Sequence, residues 1–209
     1  MYISPLPTHS PRRVFRAWNA NSQSQFHDIY GFESAKALSW REFPSKDLPT
    51  WSSWPSLDTR EKRQQALYQH ADWRDKDVSP FVSFTRCYHD VTRRARMLQS
   101  RWRPGTKISI SISIIDAHRL LAAGIPLLDA ENEMQYYGIE DPYGSHFHFY
   151  DQEMLALWRV PREHVQQTTE LDANDLVHIL KHYAQDECLA GTCGRWGKVH
   201  VPPTPMMYS

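Results

Sequence analysis

The chain has 209 residues, enough for one sizeable core; a single domain over 1–209, with its core at about 12–185, is expected. Lys plus Arg and Asp plus Glu each number 24, which excludes coating nucleic acid or an anionic membrane by bulk charge. It leaves room only for a local basic patch at Arg93, Arg94, Arg96, Arg101 and Arg103.

Met1 to Arg13 has prolines and two arginines but no apolar stretch, so no signal peptide is visible. The expectation is a chain that stays inside the cell, or one whose leader was removed before this numbering. Val14 to Trp18 reads as a first short strand. Asn19 to Trp40 reads as irregular, with Gly31-Phe32 in an aromatic-bearing loop, and Pro44 to Pro55 as loop. Asp58 can cap a helix running to about Trp73, with Glu61 three residues later as in a capping box. Ser79-Pro80 breaks the chain before Phe81 to Thr85, a β-type run. Val91, Ala95, Leu98 and Trp102 fall on one helical face, and Gly105 ends that region.

From Lys107 to Ile114, isoleucine alternates with serine, giving a strand with one greasy and one small polar face. At Ile108 to Ile115 this is the longest apolar-rich strand, far short of the ~20 apolar residues a helix needs to cross a bilayer. Asp116 to Ala123 reads as a short helix closed by Gly124 and Pro126. Residues 130–149 show no clear period and read as a long loop, of the kind that often carries function. Glu153 to Val160 is expected as a strand, Pro161 as a bend and His164 to Thr169 as another strand. Asp172 caps a last helix through Tyr183, and the tail from Gly191 is irregular. Three cysteines make no disulfide scaffold; a Cys188–Cys193 bridge is the pairing left open. Short strands with interspersed helices indicate an α+β domain.

Three segments carry the chemistry. Phe15-Arg16 lies on the first strand, Ser83-Phe84-Thr85 follows Ser-Pro-Phe-Val on a middle strand, and Asp151-Gln152-Glu153 opens a late one reading Met-Leu-Ala-Leu-Trp-Arg-Val-Pro. In that order they resemble the signature strands of Arg–Ser–Glu ADP-ribosyltransferases, the cholera-toxin and pierisin-like superfamily. The wording around them, Arg-Ala-Trp-Asn, Gly-Phe and Ser-Pro-Phe-Val-Ser, is most similar to fungal and pierisin-like members, over roughly residues 12–170.

The resemblance implies an α+β fold in which a split pair of small sheets frames an NAD⁺ cleft. It implies NAD⁺ as substrate, loss of nicotinamide and transfer of ADP-ribose to an acceptor (protein, nucleic-acid base or water) with no metal. The bond-breaking state is oxocarbenium-like, as in glycoside hydrolysis, so a carboxylate beside the ribose would stabilise it. Glu153 takes that role. Arg16 offers planar, bidentate donors to the pyrophosphate. Ser83 would hold the nicotinamide ribose, Thr85 would support the strand or Glu153, and His70 is a further pocket candidate. Aromatic residues from Tyr136 to Phe149 would stack on nicotinamide or on the target.

The chain departs from the family at two places. Phe84 stands in the middle of the usual Ser-Thr-Ser triplet, and alternation aims it into the core. Asp151 stands where the family more often has Glu or Gln; the shorter side chain leaves the target type open and allows transfer to be reduced, leaving NAD⁺ hydrolysis. Two rivals belong to other classes: a catalytically silent binding module of the same fold, and a cupin-like metal enzyme built on His146, His148 and Glu153. His178 and His182 ahead of Cys188 and Cys193 have only loose zinc-site spacing. There is no Gly-rich phosphate loop and no Gly-x-Ser-x-Gly.

Overall fold

The computed structural model describes residues 12–41, 57, 59–72, 79–100, 109–142 and 150–171, without the side chains of 39–41 and 100. These form a mixed α/β unit around two antiparallel sheets. Strand β1 (Arg13–Trp18) is followed by β2 (Phe26–His27), β3 (Gly31–Glu33) and helix α1 (Ala35–Arg41). Helix α2 (Arg60–Ala71), strand β4 (Phe81–Thr85), helix α3 (Tyr88–Ser100) and strand β5 (Ile110–Asp116) come next. Then follow α4 (Ala117–Ala122), β6 (Leu127–Asp129), α5 (Ala130–Tyr137), β7 (Glu153–Leu157), β8 (Arg159–Val160) and β9 (Val165–Leu171).

The larger sheet runs β6-β7-β4-β1-β5-β9 and the smaller β2-β3-β8. Strand β1 pairs with β5 along its whole length, from Arg13 opposite Asp116 to Trp18 opposite Ser111. Strand β4 does the same with β7, from Phe81 opposite Leu157 to Thr85 opposite Glu153. Between β1 and β4 the register records one pair, Phe15 opposite Thr85. The large sheet is therefore two three-stranded halves joined at a point, and they part toward Trp18.

Alternation along the strands builds a core on each face. Phe15 and the β5 isoleucines 110, 112 and 114 pack on Tyr88, Val91 and Ala95 of α3. On the other face Val14, Val82, Phe84 and Met154 pack with Leu120, Phe32 and Val160. Phe84 is indeed core, 1% exposed. A third cluster joins Phe81, Leu155 and Leu157 to α2 and α5. The β5 serines are buried too: the Ser113 hydroxyl accepts from the Trp18 indole (3.0 Å) and meets Thr168 (2.8 Å).

Several expectations are corrected. The stretch 19–40 is not irregular, because β3 finds a distant partner in β8, with Phe32 opposite Val160. Gly31 makes that approach feasible: its φ is +83° and a Cβ there would lie 2.1 Å from the Val160 carbonyl oxygen. The Ser34 hydroxyl then caps α1 by accepting from the Ala37 amide (3.2 Å). Helix α2 starts one residue later than Asp58 implied, capped by Thr59, which accepts from the Lys62 amide. Residues 130–137 are helix rather than loop. Asp129 caps α5, Gly138 closes it in the left-handed region, and Ala130, Met134 and Tyr137 bury one face. The strand expected over 153–160 breaks at Trp158, whose φ of 61° redirects the chain from the large sheet into the small one. Its amide donates to the Pro80 carbonyl (2.8 Å) and its carbonyl accepts from the Ser34 amide (2.7 Å). The last strand starts at Val165, after a 3-10 turn over Arg162–His164. The helix expected from Asp172, Trp102, the loop over 44–55, His146, His148, His178, His182, Cys188 and Cys193 lie outside the described residues.

Candidate active site

Glu153 is the first residue of β7 and lies opposite Thr85 on β4, so both share a sheet face with Ser83. It is 5% exposed. Burial alone would raise its pKa, but the Arg94 charge foremost, with the adjoining polar groups of His70 and Ser83, outweighs it and holds the carboxyl down to about 2. Its Oε1 lies 3.5 Å from Arg94 Nη1 and 3.6 Å from His70 Nε2. The buried carboxylate is thus ionised at neutral pH.

Ser83 and His70 form a polar chain leading to it. The Ser79 hydroxyl oxygen accepts from the Phe81 amide (3.1 Å) and lies 2.9 Å from His70 Nδ1. Nε2 on the other side of the ring is 3.1 Å from Ser83 Oγ. With Ser79 O–H donating to Nδ1, Nε2–H can donate to Ser83 Oγ, which leaves the Ser83 proton for Glu153. Thr85 has a different job. The residue is 1% exposed, and its hydroxyl accepts from the Cys87 amide (3.1 Å), shaping the corner into α3.

Arg16 occupies the split. Continued pairing would place Ala17 opposite Ser83; instead Arg16 Nη1 donates to the Ser83 carbonyl (2.6 Å) and Nη2 to the Ser24 carbonyl (3.0 Å). Its guanidinium carbon lies 5.6 Å from the centre of the Phe32 ring. Its buried Nε has no hydrogen-bond partner among the described residues. Burial first, then the nearby Arg94 charge, lower its pKa to about 10, with Glu153 opposing. It stays cationic at neutral pH with donor capacity in reserve.

Asp151 is not on the strand with Glu153. It lies in the preceding turn, which the Glu153 amide closes onto the Tyr150 carbonyl (2.8 Å), and its own carbonyl accepts from Arg86 Nη2. Tyr136, expected in a loop, stands exposed on α5 beside Arg60, whose guanidinium carbon is 4.8 Å from its ring centre.

Two arginines were not read as site residues from the sequence. Arg94 belongs by sequence to the local basic patch, yet it turns inward, bonded to Asp90 (3.0 Å) and Glu153. Burial alone would lower its pKa; Glu153 and Asp90 outweigh that and raise it. The signal was present, since Arg94 lies three residues after Val91 and four before Leu98, on the flank of the apolar face. Arg86 carries no local signal at all. Its partners Asp129, Asp151 and Gln152 are 43 to 66 residues away.

A family model described as a domain of unknown function (DUF7587) matches residues 9–174. The chain belongs to the DUF7587 family. The matched span contains Arg16, His70, Ser83, Arg94 and Glu153, so the whole constellation lies within the DUF7587 domain. No curated protein matches the chain. Among solved structures it is similar to EcPltA at 15% identity, over 79% of this chain and 80% of that one, with a TM-score of 0.39. It is also similar to Thermus sp. 2.9 DarT in complex with ADP-ribosylated ssDNA, at 10% identity, over 84% and 90%, with a TM-score of 0.38. At such TM-scores the chemistry of this DUF7587 domain has to be argued from its own residues. Among the described residues no group of His, Cys, Asp and Glu could hold a metal ion, and no helix is long and apolar enough to cross a membrane.

Proposed function

We propose that this DUF7587 domain is an NAD⁺-dependent ADP-ribosyltransferase of the Arg–Ser–Glu type, with Arg16 holding the pyrophosphate, Ser83 the nicotinamide ribose and Glu153 stabilising the oxocarbenium-like centre. The observation that carries this reading is the meeting of all three residues, from three strands far apart in sequence, where β1 and β4 part after one register pair. The donor set suits a dinucleotide. A cationic guanidinium whose buried Nε has no partner among the described residues can turn toward phosphate oxygens, and an ionised carboxylate faces the same site. The Ser83–His70–Ser79 chain orients the Ser83 hydroxyl, its oxygen toward His70 and its proton toward Glu153, so the two polar groups are organised before any ligand arrives.

NAD⁺ hydrolysis is the second reading. It is favoured by the place of the short Asp151 in the turn ahead of β7, one step removed from the face that carries Glu153.

The experiment is to incubate the purified protein with NAD⁺ labelled in the adenylate moiety, alone and with lysate protein, single-stranded DNA, duplex DNA or RNA. Nicotinamide release and label transfer are followed in the same tube. Release in every tube with label on one acceptor class is the expected outcome, and release without label means hydrolysis. A folded protein that releases no nicotinamide above the enzyme-free rate refutes both readings and leaves a binding module.

A further inference from the structure

We propose that Arg86 is a positioning residue: it holds the turn that delivers Glu153, and so sets turnover without contributing to NAD⁺ affinity. The inference rests on the transferase reading above.

Arg86 directly follows β4, and its side chain is about a quarter exposed, at 26%. All three guanidinium nitrogens are used. Nε donates to Gln152 Oε1 (3.0 Å), Nη1 to Asp129 Oδ2 (3.0 Å) and Nη2 to the Asp151 carbonyl. Its main-chain amide adds a fourth bond, to the Gln152 carbonyl (2.9 Å). One residue therefore grips both members of the turn between Tyr150 and Glu153.

The two ends of that turn are held by other means. Tyr150 is buried, and its hydroxyl donates to the Ala71 carbonyl (3.1 Å); Glu153 is already in the β4–β7 ladder. What Arg86 adds is the orientation of the two residues between. It also anchors the turn to a rigid element. Asp129 uses Oδ1 to cap α5 at the Asn132 amide (3.1 Å) and Oδ2 to bind Arg86, so turn and helix are fixed to one carboxylate. A lysine could satisfy one of these acceptors but not the planar set.

No atom of Arg86 is bonded to Arg16, Ser83 or His70, so substrate contacts should survive its loss. The carboxylate would instead be held in a looser frame, and misplacement of a reacting group by about 1 Å costs up to ~10²-fold in rate.

The test compares Arg86→Ala, Arg86→Lys and Asp129→Asn in the full chain. Asparagine keeps the helix cap through its one carbonyl oxygen and replaces the acceptor that Arg86 meets with an NH2 group, removing both that hydrogen bond and its charge. The expected result is a fall in kcat for nicotinamide release of about 10- to 100-fold in Arg86→Ala and less in the other two, with KM for NAD⁺ within about twofold. Hydrogen exchange at the Glu153 amide should accelerate by about tenfold or more, while the Val82 and Phe84 amides stay protected. If Arg86→Ala does not fold, the two milder variants carry the same comparison. A rise in KM with unchanged kcat, or a Glu153 amide that exchanges at the wild-type rate, overturns the proposal. A wild-type protein without NAD⁺ turnover overturns the transferase reading instead, and the exchange rates still decide whether Arg86 holds the turn.

Discussion

Glu153→Gln separates what the carboxylate contributes to folding from what it contributes to chemistry. Glutamine keeps the shape of the protonated acid, so the variant resembles the native protein with that one proton bound. The folded-state carboxyl sits at about 2 against an ordinary 4.5, a gap of about 2.5 units and therefore about 3 kcal/mol at 1.36 kcal/mol per unit. The pKa is depressed on folding, so this stability is fully present above about pH 4.5 and is lost as pH falls through about 2. The variant should be less stable than wild type by up to about 3 kcal/mol near pH 7, by about half of that near pH 3, and by little below pH 2. Arg94 keeps Asp90 as a partner at 3.0 Å, which protects the variant from leaving a buried cation unpaired. Nicotinamide release near neutral pH should fall by ~10²-fold or more, because charge stabilisation of the oxocarbenium-like state is removed. Urea titrations at several pH values measure the first quantity and single-turnover nicotinamide release the second. A stability gap that does not change with pH would refute the ionised, ion-paired carboxylate. Release within a few-fold of wild type in a folded variant would refute its catalytic role.

Arg16→Lys should raise the KM for NAD⁺ more than it lowers kcat, because an ammonium cannot hold a phosphate in bidentate fashion; calorimetry showing wild-type affinity would remove Arg16 as the anchor. Asp151→Ala should lose transfer to the acceptor while keeping NAD⁺ cleavage by water, since an acceptor needs positioning and water needs little. Equal losses of both products would place Asp151 in the bond-breaking step. Gly31→Ala should destabilise the protein by several kcal/mol, because its Cβ would lie 2.1 Å from the Val160 carbonyl oxygen at a φ of +83°; an unchanged urea midpoint would show that the β3–β8 approach is not that tight.

The sequence by itself determined the elements whose signals are local. Phe81–Thr85, the helix bearing Val91 and Ala95, the Ile/Ser strand and the Asp116 cap all declare themselves through periodicity or capping chemistry within a few residues. It also set out Arg16, Ser83 and Glu153 on three separate strands, and the inward aim of Phe84. Helix α5 was legible in principle from Asp129, its acidic first turn and Gly138, but a cluster of aromatic and polar residues obscured the spacing of Ala130, Met134 and Tyr137. The short strands β2, β3 and β8 were not legible. Two or three residues carry no period, and these become strands only because Phe32 meets Val160 across more than a hundred positions.

Only the tertiary structure decided how β1 and β4 part after Phe15 and Thr85, and which cations surround Glu153. The charge of Arg94 was visible in the sequence, but whether it faced water or a carboxylate depended on how α3 packs over the sheet. Arg86 shows the same limit more sharply. Its four bonds reach two distant segments, and nothing within a helical turn of it in the chain marks them. Local patterning reports which face of an element is buried, because burial repeats with the period of the backbone. Ion pairs and turn clamps occur once each, between segments brought together by the fold, and so leave no period to read.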